Sequence, residues 1–173
     1  MRKFVFSVLV LGMLGSCSDG DLEIETIDFD SASLQFCANP VANAKNLMFK
    51  INDSEALILE LQSGTLNKGV VGETVITESA VPSQSQVTYR AFSGTVNKDY
   101  FCDEIPVVEP TVIQEVVAQD GAVIVETMLS ENDPTRFVHN ISLSGISFVT
   151  SNGERITNLA INEFGEVTTP VPN

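Results

Sequence analysis

The stretch Val112-Ile113-Gln114-Glu115-Val116-Val117-Ala118-Gln119-Asp120-Gly121-Ala122-Val123-Ile124-Val125-Glu126-Thr127-Met128 decides the fold. It is dense in valine and isoleucine, and its two apolar runs, Val112–Gln119 and Ala122–Met128, have the length and residue types of strands. Asp120-Gly121 between them suits a two-residue type I′ turn, which needs positive φ at both central positions. The spacing therefore predicts a β-hairpin here. Downstream, Phe137, His139, Ile141 and Leu143 share one parity, and Ile146 and Phe148 resume on the other, which predicts a bulge at Gly145. Asn152-Gly153 would turn Ile146–Thr150 back into Glu154–Asn162, and Phe164-Gly165 would open a last strand, Glu166–Thr169.

Upstream of that stretch the same signature continues. Leu22–Phe29 alternates with a phase slip near Thr26, Leu34 and Phe36 share a parity, and so do Leu47, Phe49 and Ile51. Leu57, Leu59 and Leu61 alternate with Ile58 and Glu60, and Glu73–Glu78 and Gln86–Phe92 are further strands. Ala38–Asn46 offers one short helical turn, weakened by Pro40 and three asparagines. About eight to ten short strands separated by turn signals predict an all-β fold, an antiparallel β-sandwich. Cys102–Pro110, with Pro106 and Pro110, reads as a crossover within one domain over residues 22–173, because neither half alone would bury much core.

The beginning of the chain reads as a processing signal. Arg2 and Lys3 precede an apolar run, Phe4–Leu14, that is too short to cross a bilayer and fits the h-region of a secretory signal. It ends in Leu14-Gly15-Ser16-Cys17, which resembles the lipobox of bacterial lipoproteins. The resemblance implies that residues 1–16 are a signal peptide, that cleavage follows Ser16, and that Cys17 carries a lipid anchor. An anchor of two or three chains holds stably where one chain holds marginally. The next residues, Ser18-Asp19-Gly20-Asp21, resemble the acidic export signal that directs lipoproteins of the Bacteroidota to the outer face of the cell. Ser18 is also not the aspartate that retains enteric lipoproteins at the inner membrane. The alternative for residues 17–21 is a plain polar tether with the domain on the periplasmic face. Longer stretches, including Asn46–Leu61, Thr88–Pro106 and Pro110–Val125, are similar to uncharacterised flavobacterial surface lipoproteins. That likeness brings no activity with it.

Charge narrows the partners. The formal net charge is −14, and cleavage would also remove Arg2 and Lys3. Such acidity argues against nucleic acid and against a basic grip on anionic lipid, so contact with the membrane falls to the lipid on Cys17. Cys37 and Cys102 are the remaining cysteines, and an even pair in an oxidising compartment reads as a disulfide. Two free buried thiols are the alternative.

His139, the one histidine, lies within an apolar alternation and reads as a packed core residue. No zinc spacing, nucleophile elbow or phosphate-binding glycine loop is present. Calcium is the metal that the acidic clusters best suit: Asp28 with Asp30; Asp99, Asp103 and Glu104; and Glu131-Asn132-Asp133. None of them has EF-hand spacing, and the expectation is of no resident metal or cofactor. Asp30-Ser31-Ala32 resembles the O-glycosylation site of secreted Bacteroidota proteins, with Ser31 as acceptor, and a simple turn is the alternative. The expected function is non-enzymatic: binding of a protein or glycan, adhesion, or envelope architecture at the outer membrane. The alternative is an extracellular hydrolase of carbohydrate or peptide. Trp is absent and Tyr89 and Tyr100 are the only tyrosines, which weakens a sugar-stacking platform.

Overall fold

The computed structural model describes residues 27–105, 107–150, 153, 155–156, 159–160 and 162–172. Residues 1–16, expected to be a signal peptide, and Cys17, Ser18-Asp19-Gly20-Asp21 and Leu22–Thr26 lie outside them. Among the described residues ten strands and one short helix follow in the order β1 (Ile27–Asp28), β2 (Asn46–Asn52), β3 (Glu55–Leu61), β4 (Val75–Ala80), β5 (Gln86–Phe92), α1 (Asp99–Cys102), β6 (Val112–Leu129), β7 (Arg136–Val149), β8 (Arg155–Ile156), β9 (Leu159–Ala160) and β10 (Glu163–Pro170). The main sheet is antiparallel and runs β10-β7-β6-β5-β3-β2, with β4 also on β6 and β8 also on β7. The all-β antiparallel class is as expected. The layers of the sandwich are halves of one curled sheet, a half-barrel.

The curl follows from β6. Its first part, Val112–Val117, pairs with β5, whereas Ala118–Leu129 pairs with β7 and Ala122–Thr127 pairs with β4 as well. One strand thus leaves one half-sheet and enters the other, which is how corners form between sheet layers. The corner is at Asp120-Gly121, and here the structure corrects the hairpin expectation. Gly121 has φ +116°, but Asp120 does not have positive φ, so the type I′ turn is not met. Instead the register of β6 against β7 shifts on both sides of Asp120. The Asp120 carboxylate accepts the N–H of Gly121, holding the bulge. The extra residue switches parity: Val116 and Ala118 point into the core before the corner, and Val123 and Val125 after it. β7 switches opposite, from Ile141 and Leu143 to Ile146 and Phe148, across the bulge expected at Gly145.

The two ends of the curl meet along residues 29–36. Gln35 bridges Phe49 of β2, while Leu34 lies against Gly165 of β10 so closely that a Cβ there would stand 2.9 Å from the Leu34 Cβ. Inside the curl, Met48, Leu57, Leu59, Leu61, Val87, Tyr89, Val123, Ile141, Phe148 and Phe164 pack in one core, with Phe29 of the strap among them.

A second, smaller core lies on the outer face of β2, β3 and β5. Phe49, Ala56, Ile58 and Phe92 would face solvent there but are covered by Val96, Tyr100 and Phe101. Phe101 stacks on Phe49 at 4.4 Å and Tyr100 meets Phe92 edge-on at 4.9 Å. Four-residue α1, which the periodicity did not predict, carries these rings. The flap is tied down at both ends. Val96 donates its N–H to the Asp53 carbonyl, and Cys102 is bonded to Cys37, with Cα atoms 5.2 Å apart. The expected disulfide is present, with Cys102 at the end of α1.

The cross-link closes a loop of 65 residues and pins the cover over Phe49 and Phe92. On the chain-entropy model such a loop contributes about 4 kcal/mol, a large share of a usual domain stability of about 5–15 kcal/mol. Reduction should therefore lower the melting temperature and raise binding of a hydrophobic dye. Cys37→Ser, Cys102→Ser and the double variant should be equally destabilised, as read by denaturant unfolding. Additive losses in the double variant would contradict a shared cross-link.

Candidate functional site

The seam where the curl closes is built around a buried lysine. Met48 and Lys50 share the inner face of β2, and Lys50 is 4% exposed. A lysine can occupy such a place because its four-carbon stem packs like an apolar side chain while the ammonium seeks acceptors. Here Nζ donates to the carbonyls of Phe29 at 3.2 Å and Glu163 at 3.3 Å. It thereby joins β2 to the strap and to β10. Burial lowers the Lys50 pKa below its ordinary value, and the negative charges of Asp30 and Glu163 act in the opposite direction.

Above the ammonium is an open cleft of about 480 Å³ bordered by Asp30, Ser33, Lys50, Glu163, Gly165 and Glu166. The three carboxylates are exposed and outnumber the one cation. Phe164, also at the cleft, is fully buried and offers no ring face to a ligand. The arrangement suits polar ligands that carry positive charge. Lys50 was not among the residues singled out from sequence. In sequence Leu47, Phe49 and Ile51 form the apolar parity of this strand, which sets Lys50 on the outward one; the structure reverses the faces, with Met48 and Lys50 inward and Phe49 on the outer face.

The other candidates have their places elsewhere. Ser31 is exposed in a turn closed by the Ala32 N–H on the Phe29 carbonyl, so the acceptor reading and the turn reading both fit it. Asp28 accepts the Asp30 N–H, as short acidic side chains do at turns. Asp133 accepts both the N–H and the hydroxyl of Thr135, whose hydrogen bonds hold its carboxyl below the usual carboxylate range. Asp99 and Asp103 sit at the two ends of α1. Among the described residues no three His, Cys, Asp or Glu side chains converge on one point.

His139 is fully buried in the core, as its parity implied. Its Nδ1 lies 2.8 Å from the Thr127 hydroxyl and its Nε2 lies 2.8 Å from the Thr169 hydroxyl. In the neutral ring one nitrogen donates and the other accepts, so both threonines are satisfied across β6, β7 and β10. Cys37 and Cys102 are bonded to one another, so among the described residues no thiol reaches the histidine. Comparison of the chain with protein-family models, curated proteins and solved structures finds no match.

Burial lowers the His139 pKa from 6.5 to about 4. The unfolded chain therefore binds the extra proton first as pH falls, and stability is full above the unfolded value and declines below it. Between pH 7 and pH 5 the loss from this residue should be about 2 kcal/mol. Denaturant unfolding at the two pH values checks it: His139→Gln should remove most of that difference, whatever its effect at pH 7. An unchanged pH dependence would contradict a neutral buried imidazole.

Proposed function

We propose that the chain is a lipid-anchored protein of the bacterial outer membrane whose β-domain faces the cell exterior and serves a non-enzymatic binding, adhesion or structural role. The observation that carries this reading is the Phe4–Leu14 run ending in Leu14-Gly15-Ser16-Cys17. The cysteine inventory supports it. Two of three cysteines are cross-linked, a state that persists in oxidising compartments, and the third stands where a lipid would be attached. The acidic composition keeps a displayed domain soluble.

Within this reading the seam cleft is the region for ligand contact, and its rim of Asp30, Glu163 and Glu166 favours a partner with exposed positive charge. The same cleft is what favours the alternative, a hydrolase acting through paired carboxylates. Binding is preferred because the buried ammonium is already engaged with two carbonyls and Phe164, the ring that borders the cleft among the described residues, is enclosed.

Anchoring is tested at the N-terminus. Mass spectrometry of the membrane-extracted protein should find Cys17 as the first residue, carrying acyl chains, and Cys17→Ala should leave an unlipidated precursor. An unmodified terminus at another residue would contradict the anchor. Replacing Asp19 and Asp21 together with alanine should reduce digestion by external protease on intact cells. Equal digestion of parent and variant would leave residues 18–21 as a tether only.

A further inference from the structure

Among the described residues β4 is an edge strand, with backbone groups on its open side that meet no partner. At its end, Val81 donates its N–H to the Gly121 carbonyl on β6. Ala80 turns the other way: its N–H goes to the Gln84 side chain, and its carbonyl accepts the N–H groups of Gln84 and Ser85. Successive residues of an antiparallel strand direct these groups to opposite edges. Val75, Thr77 and Ser79 therefore bond to β6, and Ile76 and Glu78 direct theirs to the open side. Among the described residues β4 pairs only with β6, and no other backbone partner meets Ile76 or Glu78.

Proteins commonly protect such an edge with lysine, proline, a bulge or a covering segment. Val75–Ala80 has no lysine or proline, its register with β6 is unbroken, and Glu78 is its one charged side chain. Ile76 is 69% exposed in the middle of it. We propose that β4 pairs antiparallel with β4 of a second copy of this chain, about a two-fold axis through Thr77.

The strand is self-complementary in that register. Ile76 of each copy stands opposite Glu78 of the other, so both residues with open backbone groups are used and four hydrogen bonds form. Thr77 faces Thr77, a pairing that stabilises antiparallel ladders. An axis through Glu78 would set the two glutamates against each other and meet Ala80, whose backbone groups are already occupied. The axis through Thr77 avoids both conflicts, and two-fold pairing of identical surfaces is the commonest oligomeric arrangement.

Each copy carries a formal net charge of −14, so the approach is opposed by repulsion that salt screens. A contact along one short strand belongs to the weak class of interfaces and is to be read at chain concentrations on the order of 0.1–1 mM.

The test uses the full chain in mild detergent. Sedimentation should show a monomer–dimer equilibrium that strengthens as salt is raised from about 0.02 to about 0.5 M. Glu78→Pro removes an outward N–H and no bond to β6, so it should abolish the dimer and keep the fold by circular dichroism. Cysteine trapping fixes the register independently of that variant. Under mild oxidation Thr77→Cys copies should link to one another, and Ile76→Cys copies should link only when mixed with Glu78→Cys copies, with each link mapped by peptide mass. A chain that stays monomeric in high salt and gives no link at residue 77, or a link mapped to another register, would overturn the proposal. A monomer that instead takes up a synthetic basic strand peptide at Ile76 and Glu78 would overturn it too, in favour of a foreign strand.

Discussion

The corner of β6 is the constraint on which the rest of the fold depends. A Cβ at Gly121 would stand 2.8 Å from both the Cα and the backbone nitrogen of Ile146, closer than atoms can sit, so the two strands cross there because glycine has no side chain. The approach lets β6 and β7 change direction together, each with a bulge, while their ladder continues on both sides. Because each strand also changes parity at the bend, apolar side chains stay on the concave face throughout. Without the double switch, half of β6 would turn Val123 and Val125 toward solvent and half of the core would be lost.

The bend leaves two consequences that the other elements resolve. The first is an open side where β10 and β2 approach without pairing, filled by the strap over residues 29–36 and by the Lys50 ammonium on two carbonyls. A charged donor makes a strong form of hydrogen bond to the carbonyls of Phe29 and Glu163, which explains why a lysine occupies an inward position. The second is an outer face too apolar for water. Phe49, Ile58 and Phe92 alternate with core residues on strands buried on both sides, and the disulfide-tied flap covers them. Burying Phe49 and Phe92 contributes about 1.5–3 kcal/mol each, so the flap is part of the stability of the fold.

Much of this was legible in sequence because period-two alternation reports directly which face a residue takes. The parity change at Gly145, the inward position of His139 and the pairing of Cys37 with Cys102 all follow from pattern or compartment. Asp120-Gly121 misled because a hairpin turn and a bulge both call for a glycine at positive φ. What separates them is whether the flanking strands pair with each other, and here they pair with β5, β4 and β7 instead. Helix α1 is four residues long and set by tertiary cover rather than by periodicity. Lys50 was passed over because a single charge in an apolar strand looks like an outward residue until the strand's parity is fixed. The candidate cleft was hidden for a related reason: Asp30, Lys50 and Glu163 come from three distant segments, and only closure of the curl brings them to one place.

The central claim is that β6 and β7, by passing through the corner, make the two half-sheets one cooperative unit. Native-state hydrogen exchange tests it most directly. The slowest amides of β3 and β5 and the slowest amides of β7 should open with the same free energy and the same dependence on denaturant, as expected when exchange needs global unfolding. A plateau for β3 and β5 well below that of β7, with a smaller denaturant dependence, would show that the halves open separately and would contradict the account.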